Sequence, residues 1–168
     1  MVEDIEAVMS DLSTEAQSEA HDFADALQAF SVSVGAKDAM DFVDRIEQCL
    51  VSQEAPDTTE TIHTFTPGLY GRTCIIPQGT ILTSKIHKTE HQFVILKGEI
   101  SVWTKEIGVA TYRAPYHGIT KPDTRRVLFS HSDTVWVTFH PTEETDVAVI
   151  EDNIIMKHDN QYLQGGEA

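Results

Sequence analysis

Long apolar runs, basic residues and cysteines are scarce in this sequence, and each shortage argues against a class of protein. No apolar stretch approaches the roughly 20 residues that cross a bilayer, and the acidic start lacks a signal-peptide pattern, so we expect a cytoplasmic protein without membrane contact. The 12 Lys and Arg against 27 Asp and Glu argue against nucleic acid as a partner. Cys49 and Cys74 share no metal or redox spacing, and we expect both to be reduced.

Several sequence signatures of catalysis are also missing. The chain has no glycine-rich phosphate loop, no serine on a nucleophile elbow and no Cys and His pair at a recognisable spacing. Nucleophilic catalysis therefore has no support in the sequence, and whether the protein is an enzyme stays open.

The acidic residues are concentrated in the first third of the chain. Residues 1–60 hold 15 acidic against 2 basic residues, whereas residues 61–168 hold 12 against 10. Apolar residues recur there at three- and four-residue steps, which is typical of amphipathic helices, and Gly35 lies between the two stripes. We predict an acidic helical hairpin over residues 1–53 and a polar linker over residues 54–61. The stripes consist of Ile5, Val8, Leu12, Ala16, Phe23, Leu27 and Phe30, then Ala39, Phe42, Val43, Ile46, Cys49 and Leu50.

After the linker the apolar period changes from helical to two. Eight short stretches rich in β-branched and aromatic residues, separated by Gly, Pro, Asp and Ser, predict a closed or sandwiched antiparallel sheet over residues 62–141. Residues 142–168 predict a short helix followed by a frayed tail. The predicted fold class is therefore mainly β, with a helical hairpin before the sheet and a short helix after it.

Two histidines stand close together in "GTILTSKIHKTEHQFVILKGEISVW", residues 79–103. If "TILTSKIH" and "HQFVILK" pair across "KTE", His87 and His91 become cross-strand neighbours with β-carbons roughly 4.5–5.5 Å apart. Two such imidazoles can converge on one ion, at roughly 2.0–2.1 Å for zinc. Two ligands make a weak site, and the alternative is a pair of half-exposed polar side chains.

The same segment resembles the first sequence motif of the cupins, a superfamily of small jelly-roll barrels that often hold a metal. That motif runs glycine, five residues, His, any residue, His, three or four residues, Glu, six residues, glycine. Gly79, His87 and Gly98 fall on the pattern. Lys85 replaces the first histidine, and His91 replaces the glutamate. The resemblance implies a cupin-like antiparallel jelly-roll barrel.

The second cupin motif is recognisable but degraded in "GVATYRAPYHGIT". It normally runs glycine, five residues, Pro, any residue, Gly, two residues, His. Here Gly108 and Pro115 are one residue too far apart, His117 stands at the second glycine, and Thr120 stands at the histidine.

The resemblance also implies a set of site residues. His87, His91 and His117 are the implied ligands of a divalent transition metal, and zinc, iron, manganese and nickel all suit three imidazoles. Glu90 is left three roles: a ligand, a partner of a ligand, or a general base. Lys85 would oppose a nearby cation, so the alternative is a barrel without metal in which Lys85 pairs with Glu90.

Arginines and further histidines give additional candidates. Arg125 and Arg126 follow a predicted turn and point to opposite faces, so one is a candidate for binding a carboxylate or phosphate in the barrel. The alternative is one solvated arginine and one paired with an acid. His140 is predicted to make a structural hydrogen bond at a strand end, on the face opposite Val135, Val137 and Phe139, which we expect to be the core face. His131 is expected to be exposed at a turn.

Two functions from different classes fit these patterns. The first is a barrel that binds a small molecule, through a metal if one is present. The alternative is a non-enzymatic structural or assembly protein whose helical hairpin docks on neighbouring subunits. Residues 115–146 also resemble small cupin-like proteins of tailed bacteriophages, which would place the chain in the host cytoplasm or a virion. Cupins commonly dimerise and the apolar stripes need a cover, so we expect a homo-oligomer.

Overall fold

The computed structural model describes residues 14–54 and 57–163. The predicted stripe positions Ile5, Val8 and Leu12 lie outside these residues. The helices are α1 (Thr14–Val34), α2 (Ala39–Ser52) and α3 (Val147–Ile154). The strands are β1 (Glu60–Thr66), β2 (Leu69–Ile76), β3 (Ile81–Thr83), β4 (His91–Lys97), β5 (Glu99–Thr104), β6 (Gly108–Arg113), β7 (Tyr116–Thr120), β8 (Val127–Ser130) and β9 (Thr134–Pro141).

The strands form two antiparallel sheets that enclose an apolar core. The first sheet has the order β1-β2-β9-β4-β7 and the second has the order β3-β8-β5-β6. Phe93 and Trp136 stack inside, with ring centroids 4.4 Å apart. The described chain is thus mainly β with helices before and after the sheets, as the change of apolar period predicts. The buried core residues are Ile76, Phe93, Ile95, Ile100, Val102, Leu128 and Trp136.

The predicted hairpin between the two histidine-bearing segments is wrong. β3 pairs with β8 in one sheet, whereas β4 pairs with β7 and β9 in the other. Residues 84–90 therefore cross between the sheets instead of closing a turn. Period-two patterning identifies a strand but not its partner, which explains the error. The described residues form nine strands, whereas the sequence predicts eight. The additional strand is β7, which lies inside the degraded second motif.

A glycine of the first motif is required by the backbone. Gly98 joins β4 to β5 with a φ of +96°. A β-carbon there would lie 2.6 Å from the carbonyl oxygen of Asp133 and 2.5 Å from Oγ1 of Thr134. Only glycine combines this left-handed conformation with so close an approach.

The acidic helical hairpin packs on the outer face of the second sheet. Along β8 the side chains alternate, so that Val127 contacts the helices and Leu128 the core inside the sheets. Phe42 of α2 meets Trp103 of β5 edge to face, with ring centroids 4.7 Å apart. The described part of the apolar stripes is therefore covered by its own barrel. The buried residues of this interface are Phe23, Leu27, Phe42, Val43, Ile46 and Val127.

A polar chain ties α1 to the same sheet. Nε2 of His131 lies 2.7 Å from the Ser101 hydroxyl, and its Nδ1 lies 2.8 Å from a carboxylate oxygen of Glu19 on α1. His131 is buried, so the expectation that it is exposed is wrong. Ser101 is fully buried and also hydrogen-bonded to Thr111, which indicates a structural role for the chain.

A buried ion pair ties α2 to the barrel. Arg125, which precedes β8, donates to the carboxylate of Asp44 and lies 2.7 Å from Glu47. Burial alone would raise the pKa of Glu47, but hydrogen bonds from Arg125, Asn160 and Thr83 outweigh it and lower that pKa. The segment after α3 joins this cluster, because Asn160 also donates to the backbone oxygen of Asp44 at 2.8 Å.

None of the helices in the described ranges is long and apolar enough to cross a membrane.

Replacing Phe42 by Ala tests the docking of the helices on the barrel. Phe42 is 4% exposed, and its loss leaves a cavity against Trp103. We expect the free energy of unfolding to fall by about 3–5 kcal/mol in chemical denaturation. The matched control is Val32→Ala on the exposed face of α1, which should change stability by less than about 0.5 kcal/mol. Equal effects of both substitutions would contradict the docked arrangement.

Candidate metal centre

Three buried imidazoles meet inside the barrel. The ring centroids of His87 and His91 are 4.2 Å apart, and His140 lies 5.2 and 4.5 Å from them. One nitrogen from each ring can be chosen so that all three lie within 4.8 Å of one another. Their exposed fractions are 7%, 5% and 1%.

Different elements position the three rings. His91 begins β4, and His140 lies near the end of β9, the neighbouring strand in the same sheet. His87 lies in the segment that crosses between the sheets, where its backbone forms a bridge with Ile155 after α3. Its carbonyl oxygen accepts a hydrogen bond from the backbone N–H of Asp123 at 3.0 Å. The site therefore depends on contacts that are far apart in sequence.

Two ring nitrogens at this site have no hydrogen-bond partner. Nδ1 of His91 lies 3.3 Å from the carbonyl oxygen of Thr89, which leaves Nε2 of His91 as the ligand atom. Nδ1 of His87 and Nδ1 of His140 are buried and unpaired among the described residues. A buried nitrogen without a partner costs free energy, so its persistence here needs an explanation.

All three histidines have lowered pKa values. Burial, with the nearby charges of His91, His140 and Arg72, lowers the pKa of His87 to about 3. Burial, with His91 and Arg72, lowers the pKa of His140 to about 4. Burial also lowers the pKa of His91. Near neutral pH the cluster therefore consists of neutral imidazoles, the form that binds metal ions.

The donor set fits a divalent transition metal. Three neutral imidazoles that leave one coordination position open form a familiar catalytic zinc site, and iron, manganese and nickel accept the same donors. The unpaired Nδ1 atoms of His87 and His140 are also free to bind an ion.

The structure brings together two of the three predicted ligands and adds a third. His117 is exposed on β7, opposite Val94, and lies outside the cluster. Glu90 is exposed and also lies outside it. Lys85 pairs with Glu151 at 2.7 Å, which corrects the predicted pairing with Glu90.

The position that carries histidine in the second cupin motif lies next to the histidine cluster in this chain. Thr120, where the motif carries histidine, is directly opposite His91 in the pairing of β4 with β7. Its hydroxyl accepts a hydrogen bond of 2.7 Å from Nη2 of Arg126. The third imidazole comes instead from His140 on β9, the strand on the other side of β4.

The sequence did not identify His140 as a candidate ligand, because the face of β9 with Val135, Val137 and Phe139 was expected to be the core face. The regular alternation places His140 with Trp136 and Thr138, and Trp136 belongs to the core inside the sheets. Val137 on the other face is also buried, so hydrophobicity alone could not separate the two faces. The aromatic bulk of Trp136 was the signal that would have found it.

A cavity of about 620 Å³ adjoins the histidines, and we call it the chamber. His87, His91 and Arg126 line it together with apolar side chains of the barrel. The end of α2 contributes Leu50 and Val51 to its wall. The apolar barrel residues of the wall are Ile76, Leu82, Leu128 and Trp136.

Arg126 is a buried cation without an acidic partner. Its residue is 8% exposed, and it forms no ion pair with any carboxylate of the described residues. Its guanidinium carbon lies 5.9 Å from the centre of the Phe93 ring. Burial lowers its pKa to about 10. Arg125, by contrast, faces α2, so the two arginines point to opposite faces as predicted but neither is solvated.

Comparisons with known proteins find likeness in structure. No protein-family profile matches the sequence, and no curated protein matches it. A cupin-superfamily protein from Desulfitobacterium hafniense aligns over 51% of this chain and 78% of its own, with 6% identity and a TM-score of 0.43. An RmlC-like cupin from Methanocaldococcus jannaschii aligns over 52% and 84%, with 13% identity and a TM-score of 0.43.

A salicylate 1,2-dioxygenase from Pseudaminobacter salicylatoxidans aligns over 67% of this chain and 34% of its own, with 15% identity and a TM-score of 0.47. The two antiparallel sheets agree with the sequence resemblance to the cupins, and His87 and His91 of the first motif lie side by side inside the barrel.

The two consecutive arginines give a matched test of what each one does. Arg125→Met leaves Asp44 and Glu47 buried without their cation, so we expect a loss of about 3–5 kcal/mol in the free energy of unfolding. Arg126→Met removes a buried charge that has no acidic partner, so stability should be unchanged or rise by about 1 kcal/mol. Chemical denaturation of both variants measures the difference. Equal destabilisation would show that Arg126 has a structural role.

Proposed function

We propose that this cupin-like barrel binds a divalent transition metal through His87, His91 and His140 and binds a small molecule in the adjoining chamber. The observation that carries the proposal is the meeting of three buried, neutral imidazoles, two of which have an unpaired Nδ1. Such nitrogens cost stability unless they are satisfied, and metal binding satisfies them.

The residues of the chain have separate tasks in this proposal. The carbonyl oxygen of Thr89 fixes the tautomer and orientation of His91, as partners of metal-binding histidines commonly do. The apolar wall excludes water from the ligand. A bound metal would supply a Lewis acid or activate water or dioxygen. Proton transfer by Glu90 stays a prediction, and its exposed carboxylate lies away from the cluster.

The assembly hypothesis makes a different use of the helices. It predicts that the apolar stripes of the helical hairpin are free to dock on neighbouring subunits. In the described residues those stripes pack on the chain's own second sheet, and α2 lines the chamber. This favours the small-molecule function. Homo-oligomerisation and a phage or virion origin stay predictions.

Metal content measured by plasma mass spectrometry tests the proposal. Protein purified without a histidine tag and dialysed against zinc is expected to hold about one zinc per chain. His140→Ala removes one of three ligands and should lower the zinc affinity at least about tenfold, because losing an outer partner of a ligand already costs that much affinity. The dialysed variant should therefore retain less zinc than the wild type. His117→Ala is the matched control and should retain the wild-type content, since His117 is exposed on β7.

Circular dichroism of each variant verifies that the fold is retained. Full zinc content in His140→Ala, or zinc loss in His117→Ala alone, would contradict the assignment of the third ligand. Absence of zinc from the folded wild-type protein would contradict the metal site itself.

A further inference from the structure

We propose that the ligand of the chamber is an organic oxyanion and that the guanidinium group of Arg126 binds it. This rests on the proposed function, because it assigns the chemical class of the small molecule that binds beside the three histidines.

The backbone holds Arg126 so that its side chain points into the barrel. Its N–H donates to the hydroxyl of Ser84 at 3.0 Å, and its carbonyl oxygen accepts from the N–H of Ser84 at 3.1 Å. Thr120 then fixes one end of the guanidinium at 2.7 Å. The group is thus positioned from two sides and is exposed to the chamber, which it lines together with His87 and His91.

Arg125 provides an internal comparison. Both arginines are 8% exposed, so both guanidinium groups have lost most of their hydration. The fold compensates Arg125 with Asp44 and Glu47, whereas it gives Arg126 a single neutral hydroxyl. A buried guanidinium without an anion is costly, and an anionic ligand is the partner that this arrangement lacks.

The other charged groups in the wall of the chamber do not pair with Arg126. Lys85 is neutralised by Glu151. Of the two acids in the wall, Glu47 is bound to Arg125, and Asp57 accepts hydrogen bonds from Thr59. Arg72 adds a second cation, and its buried Nε has no partner among the described residues.

The field of the remaining described acids on Arg126 is weak. The carboxylate of Glu106 raises the pKa of Arg126, but this effect is smaller than the lowering of that pKa by burial. The chain as a whole carries a net charge of −15, so two arginines at the chamber without an acidic partner among the described residues, Arg72 and Arg126, are a local feature.

The shape and lining of the chamber specify the rest of the ligand. A guanidinium fork matches two oxygens of a carboxylate or a phosphonate. The adjoining wall is apolar, with Leu82, Leu128 and Trp136 close to the histidines, and so favours a hydrocarbon body attached to the oxyanion. A free inorganic ion would leave this wall uncovered.

Isothermal titration calorimetry with three probes of similar shape tests this assignment. Benzoate and phenylphosphonate carry an oxyanion on a ring, whereas benzamide carries a neutral group of similar size. Each is titrated into zinc-loaded protein and into chelator-treated protein. We expect at least one anion to bind at least about tenfold more tightly than benzamide, because hydrogen bonds to charged groups are worth about 1.5–3 kcal/mol.

Variants identify the group responsible. Arg126→Met should weaken anion binding at least about tenfold without changing zinc content, and Arg126→Lys should retain part of the affinity. Lys97→Met removes one exposed positive charge outside the chamber and should bind as the wild type does. Whichever of the two anions binds more tightly indicates whether the ligand of the chamber is a carboxylate or a phosphonate.

Three outcomes would overturn the inference. The first is equal affinity for benzamide and both anions, and the second is undiminished anion binding by Arg126→Met. The third is the absence of anion binding in both the zinc-loaded and the chelator-treated protein. Failure of the inference is distinguishable from failure of the metal site. Anion binding that depends on Arg126 in protein unable to hold zinc would support the oxyanion assignment and contradict the metal proposal.

Discussion

The burial of two consecutive guanidinium groups is the constraint on which the architecture depends. The side chains of Arg125 and Arg126 point to opposite sides of the backbone, and each residue is only 8% exposed. Arg125 therefore requires acids from α2, which fixes the helical hairpin on the second sheet. Arg126 requires an interior polar contact, which Thr120 supplies beside the histidines. One dipeptide thus links the docking of the helices to the chemistry of the chamber.

Much of the fold was predictable from the sequence because it depends on local patterns. The change of apolar period predicted helices before strands, and the spacing of the strand segments predicted antiparallel sheets. Strand pairing was not predictable, because β3 and β4 carry the same period-two pattern whichever strand lies next to them. His87 and His91 are nevertheless close together, as predicted. Only three residues separate them, so their rings lie close whether the segment forms a hairpin or crosses between the sheets.

The third histidine of the proposed metal centre could not be found from local patterns. His140 is 49 residues after His91 in the sequence, and only the pairing of β4 with β9 brings them together. The motif position that should have held a histidine became Thr120, on the other neighbouring strand of β4. Compared with the motif, the third histidine of the cluster lies on β9 instead of β7, and Thr120 at the motif position hydrogen-bonds to Arg126. Motif matching assumes fixed positions along the chain and does not detect such an exchange.

The contribution of α2 to the chamber wall makes the helices part of the proposed binding site. Leu50 and Val51 come from a segment that lies outside the barrel in sequence, yet they bound the same space as His87. A ligand that binds only when this wall is in place stabilises the docked helices by linkage, by about 2.7 kcal/mol at a concentration 100 times its Kd. Amide exchange in α2 would then slow when the chamber fills. A barrel expressed without its first 53 residues would lack that wall and would give a misleading ligand screen.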